Sequence, residues 1–193
     1  MKVLAINGSP HRNGNTFKLI DAVLRGARDD GHDAETVHLI DLDLDYCSWC
    51  NTCMERTPGI CPTDDGFMDL VGMIGGADVL VVGCPSSGRS VTGYMKNWLD
   101  RFCNTQLIWT ADEAGRVSKQ SRLPKGKRSI LIVQGCTNQL AGTIEPIEIV
   151  LKSVEIPIVE RLIVPHVGLT EKDTIQDHPD VLERAFQTGR SLG

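Results

Sequence analysis

The feature that most constrains the fold is a repeated pairing of a short apolar run with a helix-length amphipathic segment. Lys2-Val-Leu-Ala-Ile-Asn7 is the first such run, and Ala77-Asp-Val-Leu-Val-Val-Gly83 and Arg128-Ser-Ile-Leu-Ile-Val-Gln134 repeat the pattern. Their side chains are apolar at successive positions rather than alternate ones, so both faces of each strand must be covered. Phe17, Leu19, Ile20, Val23 and Leu24 follow the first run at helical spacing, and Met95, Trp98, Leu99 and Phe102 follow the second. Strands buried on both faces and joined by helices form a parallel sheet sandwiched between helical layers. The pattern predicts strands over 2–7, 35–40, 77–83, 128–134 and 156–164 and helices over 16–30, 64–76, 93–103, 144–155 and 178–191. Pro157 and Pro165 mark the last strand as an edge strand.

Five strands in this alternation suggest an α/β flavodoxin-like three-layer sandwich, with a parallel sheet of order 2-1-3-4-5. In that fold ligands sit outside the carboxyl ends of the strands, at the switch point between strands 1 and 3. Residues 1–193 are expected to form a single domain, and the 41% hydrophobic content is enough to fill an ordinary core. Two segments break the alternation: a cysteine-rich loop at 41–63 and a polar excursion at 104–127. The formal net charge is −5 and no basic tract occurs, so nucleic acid is not an expected partner. The longest apolar runs are strand-sized, too short to span a membrane. The N-terminus enters a strand without a charged-then-apolar leader, so a cytoplasmic location is expected.

Between strand 1 and helix 1 stands Gly8-Ser-Pro-His-Arg-Asn-Gly-Asn-Thr16. A loop at this place has unpaired backbone N–H groups and the positive end of a helix dipole, and both favour a bound anion. Ser9, Asn13, Asn15 and Thr16 add side-chain donors, and Arg12 adds a fixed positive charge suited to phosphate. A plain βα turn capped by Asn15 or Thr16 has the same outline. The crowding of hydrogen-bonding side chains favours a phosphate cradle. It has neither the Gly-Lys-Ser/Thr ending of a Walker loop nor the Gly-x-Gly-x-x-Gly spacing of dinucleotide folds. The loops after strands 3 and 4, at 84–92 and 135–142, are expected to converge on the same edge. A phosphate site beside two small-residue loops at a switch point fits FMN.

Gly8-Ser-Pro-x-Arg-x-Gly-Asn-Thr16, then Cys84-Pro85, then Lys96-Asn-Trp-Leu-Asp-Arg101 resemble the NAD(P)H-dependent FMN reductase group of flavodoxin-like proteins. The likeness extends to about residue 155 and is weakest at the C-terminus. It implies that Ser9, Arg12, Asn13, Asn15 and Thr16 hold the FMN phosphate. It further implies that Pro85, Ser86, Ser87 and Gly88 run along the isoalloxazine ring, with Gly135 and Cys136 near its other edge. Where the group often has an aromatic residue after the proline, this chain has Ser87 and Gly88. Ring stacking must then come from elsewhere, such as Trp109 or a neighbouring subunit. The Lys96–Arg101 stretch also reads as a salt-bridged exposed helix face.

Cys47-x2-Cys50-x2-Cys53-x7-Cys61 is the second chemical signature. Successive x2 spacings with a fourth cysteine nearby are typical of [4Fe–4S] ligation. Structural zinc more often uses two separated Cys-x2-Cys pairs, and free thiols are the remaining alternative. The run resembles the compact cysteine motif of iron–sulfur flavoproteins, a branch of the same flavodoxin-like group, which are dimers or tetramers. Ser48 and Trp49 would shield a cluster from solvent.

The whole points to an FMN-dependent oxidoreductase that passes electrons between NAD(P)H or a ferredoxin-like partner and an acceptor. A homodimer or homotetramer is expected, with electrons crossing a subunit interface. No side-chain acid or base is required for hydride transfer, so no catalytic side chain is assigned. The alternatives are an electron carrier without NAD(P)H activity and a flavin-binding or zinc-stabilised interaction module. Cys84-Pro-Ser-Ser-Gly-Arg89 also resembles the nucleophilic loop of low-molecular-weight tyrosine phosphatases, but it is one residue short and follows the wrong strand. Cys84 and Cys136 read as small packing residues in preference to a redox pair.

Overall fold

The computed structural model describes residues 1–168 and 174–193. The chain runs β1 (Lys2–Asn7), α1 (Asn15–Asp29), β2 (Asp33–His38), α2 (Thr52–Glu55), α3 (Phe67–Gly76), β3 (Val79–Pro85), α4 (Gly93–Gln106), β4 (Leu107–Ala111), β5 (Val117–Ser121), β6 (Arg128–Gly135), α5 (Ala141–Ser153), β7 (Ile158–Pro165) and α6 (Pro179–Arg190). Five of these strands form one parallel sheet of order β2-β1-β3-β6-β7. That is the flavodoxin-like order expected from the sequence, with β6 and β7 as its fourth and fifth members. The proline-flanked β7 lies at an edge.

The segment expected to be irregular contains a hairpin instead. β4 and β5 pair antiparallel outside the main sheet, from Leu107 opposite Ser121 to Ala111 opposite Val117. Only Leu107 of this hairpin is fully buried, so it has little of the apolar alternation that would betray a strand.

Successive residues of one strand enter different cores. Val3 and Ala5 pack with Leu19, Ile20 and Val23 of α1, whereas Leu4 and Ile6 pack with Phe67, Leu70 and Trp98 of α3 and α4. This is why the strands read as continuous apolar runs. The ends of the helices are also tied to the sheet. Lys127 is buried at the foot of β6, and its Nζ donates to the carbonyls of Gly75 (2.7 Å) and Ala77 (2.5 Å), a cation at the carboxyl end of α3. Burial pushes the Lys127 pKa down, against the pull of Asp78. No helix among the described residues is long and apolar enough to cross a membrane.

α1 and α6 approach backbone to backbone. A Cβ on Gly26 would lie 2.0 Å from the carbonyl oxygen of Phe186, and one on Gly189 would lie 1.9 Å from that of Val23. The obstacle is main chain, which cannot rotate away. Gly26→Ala is expected to push the helices apart and lower stability by about 1–3 kcal/mol, measured as a reduced urea midpoint.

Candidate functional site

The carboxyl ends of β1, β3 and β6 open onto a cavity of about 810 Å³, lined by Ser9, Pro10, His11, Gly14, Asn15, Lys18, Pro85, Ser86, Ser87, Thr92, Gln134, Gly168 and Thr174. That volume is within the range of small-molecule and cofactor sites. The first turn of α1 supplies one wall. Its N-cap is Gly14, one residue before the expected Asn15 or Thr16, and no side chain caps it. The helix therefore points its positive dipole end at the cavity with no side-chain cap over it.

The loop that leads to this helix is ordered by its own short bonds. Asn7 Oδ1 accepts from the Ser9 amide (3.0 Å), Ser9 Oγ accepts from the His11 amide (3.1 Å), and Gly14 N–H reaches the His11 carbonyl (3.2 Å). Gly8 sits where the chain passes α4, and a Cβ there would lie 2.6 Å from Met95 Cε. The opposite wall is Pro85, Ser86 and Ser87, and the chain beyond it turns at Gly88 and Arg89, whose φ angles are +57° and +65°. Ser90 N–H closes that turn on the Ser87 carbonyl at 3.0 Å. Thr92 locks the two walls together. Its hydroxyl donates to the Gly8 carbonyl at 2.6 Å and accepts from the Met95 amide at 3.2 Å as the N-cap of α4.

The expected site residues divide as follows. Ser9, Asn15, Pro85, Ser86 and Ser87 line the cavity. Thr16 is buried just behind it, with Gln134 Nε2 at 3.4 Å from its Oγ1. Asn13 and Cys136 are exposed, Gly135 is buried against Leu140 and Ser86, and none of these three, nor Gly88, is on the wall. Arg12 turns away to pair with Asp41 at 2.8 Å. Lys18, Thr92, Gln134, Gly168 and Thr174 were missed, and His11, which reads as a possible donor or an exposed residue, lines the cavity and is exposed. Thr92 carried a signal, as a threonine before a helix, and so did Gln134, a polar residue closing an apolar strand. Thr174 is brought in by the α6 end of the chain and carried none.

The four clustered cysteines line a second concavity, together with Tyr46, Trp49, Arg101, Asn104 and Thr105 among others. All are free thiols. Burial pushes the Cys53 thiol pKa up, and Cys61, Cys47 and Cys50 add to the effect by their proximity. Hydrogen bonds from Thr52 pull that of Cys50 down. Among the described residues, no three His, Cys, Asp or Glu side chains are grouped to hold one metal ion. Tetrahedral zinc at about 2.3 Å from each sulfur would require such a tight group. A four-iron core spreads its thiolates wider than one ion does, and a set of four thiols on one concavity has the donor chemistry for it.

α4 joins the two sites. Thr92 stands at the first cavity, while Arg101 and Asn104 stand at the second. Arg101 is 2% exposed and was not expected to be buried; the exposed salt-bridged face is carried by Lys96 and Asp100 alone. Burial disfavours the Asp65 carboxylate, yet hydrogen bonds from Arg101 and the Asp45 amide overcome it and hold its pKa below the usual range.

A family model for NADPH-dependent FMN reductase matches residues 1–118. The chain belongs to that family. The NADPH-dependent FMN reductases are oxidoreductases by description, and the match covers the loop at 8–16, the cysteine run and α4. An iron-sulfur flavoprotein of Archaeoglobus fulgidus is 37% identical over 101 residues, 52% of this chain and 48% of that protein. Another, of Methanocaldococcus jannaschii, is 34% identical over 101 residues, 52% of this chain and 51% of that protein. The chain thus matches about half the length of these curated relatives. Two solved structures share the fold: an NAD(P)H:quinone oxidoreductase from Methanothermobacter marburgensis (TM-score 0.75, 18% identity, 100% of this chain and 99% of that one) and an azoreductase from Bacillus anthracis (TM-score 0.76, 13% identity, 100% of both).

Cys84 does not fit a phosphatase nucleophile. It is fully buried, its Sγ lies 3.3 Å from the Pro85 carbonyl, and burial pushes its pKa up to about 11. A reactive cysteine needs a lowered pKa and access. Iodoacetamide at about pH 8 is expected to label exposed Cys136 and leave Cys84 unmodified in the native state, as read by peptide mass spectrometry. Thr92→Val removes the partner of both the Gly8 carbonyl and the Met95 amide. It is expected to lower unfolding stability by about 1–3 kcal/mol, measured in urea.

Proposed function

We propose that this chain is an FMN-dependent oxidoreductase of the iron–sulfur flavoprotein type. The observation that carries the reading is the cavity of about 810 Å³ at the switch point, with the uncapped first turn of α1 as one wall. Ser9, Asn15 and Thr16 would hold the phosphate with the N–H groups of that turn, and Lys18 would add charge. Arg12 and Asn13 lie at the outer edge of the same loop. Pro85, Ser86, Ser87 and Gly88 would flank the ring, with Gly135 and Cys136 beyond them. FMN, when bound, accepts hydride from NAD(P)H and releases electrons singly or in pairs. The protein's part is to bind, orient and shield it, and no side-chain proton donor is assigned.

Cys47, Cys50, Cys53 and Cys61 would hold a [4Fe–4S] cluster, which supplies one-electron transfer to an acceptor. Four thiols on one concavity and the names of the curated relatives support this reading. From Thr92 to Asn104 the axis of α4 advances about 18 Å, so the two sites are well separated within one chain. Tyr46 and Trp49, 81% and 66% exposed beside the cysteines, offer a surface for a second copy. That placement supports our reading of a homodimer or homotetramer with transfer between subunits. NAD(P)H or a ferredoxin-like protein is the electron donor. Unpaired cysteines suit a reducing, cytoplasmic setting.

The test is an absorption spectrum of anaerobically purified protein with FMN and metal counts. One FMN and about four irons per chain are expected. One zinc, or flavin alone, rules out the cluster, and no bound flavin after FMN reconstitution overturns the reading as a whole. Steady-state oxidation of NADH and NADPH with an added acceptor then separates an enzyme from a carrier that takes electrons only from another protein.

A further inference from the structure

We propose that Arg101 is the positioning residue of the cysteine site, holding Cys61 in place and raising the reduction potential of the centre bound there. The inference rests on the reading that the four cysteines hold a [4Fe–4S] cluster. Arg101 comes from α4, outside the cysteine run, and is 2% exposed. Its Nη1 donates to the Asp45 carbonyl at 3.0 Å and to Asp65 Oδ2. Its Nη2 donates to Asp65 Oδ1 at 2.9 Å and lies 3.3 Å from Cys61 Sγ. The guanidinium carbon sits 4.2 Å above the Phe67 ring. One turn further along, Asn104 Nδ2 lies 3.9 Å from Cys47 Sγ, so the same helix face offers N–H groups to two of the four sulfurs.

A planar fork with fixed N–H directions suits this arrangement, and a lysine ammonium could not meet Asp65 twice while also reaching Cys61. Burying an ion pair contributes little net stability over apolar packing, so stability alone does not account for it. Its placement against a ligand sulfur does. Groups behind the ligands orient them, and hydrogen bonds to sulfur together with local charge set a cluster's potential. Reduction adds a negative charge to the site; the Arg101–Asp65 pair is neutral as a whole, but the N–H group that it directs at a ligand sulfur 3.3 Å away favours that state. Arg101 therefore shifts the potential upward.

The test compares wild type with Arg101→Gln/Asp65→Asn, which removes both buried charges, and with Arg101→Lys. Each protein is reconstituted anaerobically, counted for FMN and iron, and titrated with EPR detection of the reduced cluster. Wild type that takes up FMN but no iron sinks the cluster reading itself. With a wild-type cluster present, the double variant is expected to keep FMN, whose cavity is at the other end of α4. It is also expected either to lose iron or to show a cluster potential more negative than wild type. An unchanged iron count and an unchanged cluster potential overturn the proposal. If the double variant does not fold, Arg101→Lys decides: a more negative potential supports the proposal, and one equal to wild type overturns it.

Discussion

The arrangement of the second site depends on one buried contact, the Arg101–Asp65 pair. Residues 42–66 contain only the four-residue helix α2, so little backbone pairing fixes where their cysteines stand. Asp65 gathers the ends of that segment. It accepts from the Asp45 amide at 2.8 Å before the cysteines and from the Phe67 amide at 3.3 Å at the start of α3. Arg101 binds the same carboxylate from α4 and also takes the Asp45 carbonyl. The long loop is closed by a clasp with one half, Asp65, in the loop just before α3 and the other, Arg101, in α4. Removing one member of a buried pair costs about 3–5 kcal/mol, because the other charge is left without a partner. Replacing both costs far less, which is why the pair specifies an arrangement more than it adds stability.

α4 carries this clasp to the first site. Its N-cap, Thr92, is bonded to the Gly8 carbonyl in the loop after β1, and its interior residues Met95, Trp98, Leu99 and Phe102 are buried in one core cluster. A helix packed this way moves as a body. The loop at 8–16 and the cysteine concavity are then held in one frame.

How much of this could be read from sequence varies with the kind of contact. The sheet order was legible because every central strand is apolar on both faces, a pattern only a covered parallel sheet produces. The phosphate loop and the cysteine run were legible because their residues are neighbours in the chain. Arg101 was not, since an arginine on a helix reads as solvated until its partner is known, and Asp65 is thirty-six positions away. Arg12 is the opposite case: a cation in an anion loop looks like a ligand group, and Asp41, not visible as its partner from spacing, stands 2.8 Å from it. The β4–β5 hairpin was hidden because its side chains face water and carry no period. Thr174 reaches the cavity only through the return of the chain near α6, which no local spacing encodes.

The phosphate loop also shows why side-chain type alone understated the site. Ser9 and Thr16 were singled out as donors, and Thr16, like Asn15, could instead have served as an ordinary capping residue. Each hydroxyl is engaged through its acceptor side: Ser9 Oγ receives the His11 amide, and Thr16 Oγ1 receives Gln134 Nε2. A hydroxyl whose lone pair is already occupied has its proton left to give. Asn15 directs its Oδ1 to the Ile175 amide at 3.1 Å, so it does not cap the helix it begins. The acceptor sides of Ser9, Thr16 and Asn15 are thus turned into the protein's own hydrogen bonds, while the N-cap of the helix is a glycine with no side-chain cap. That polarity is what distinguishes an anion cradle from a capped turn of the same composition.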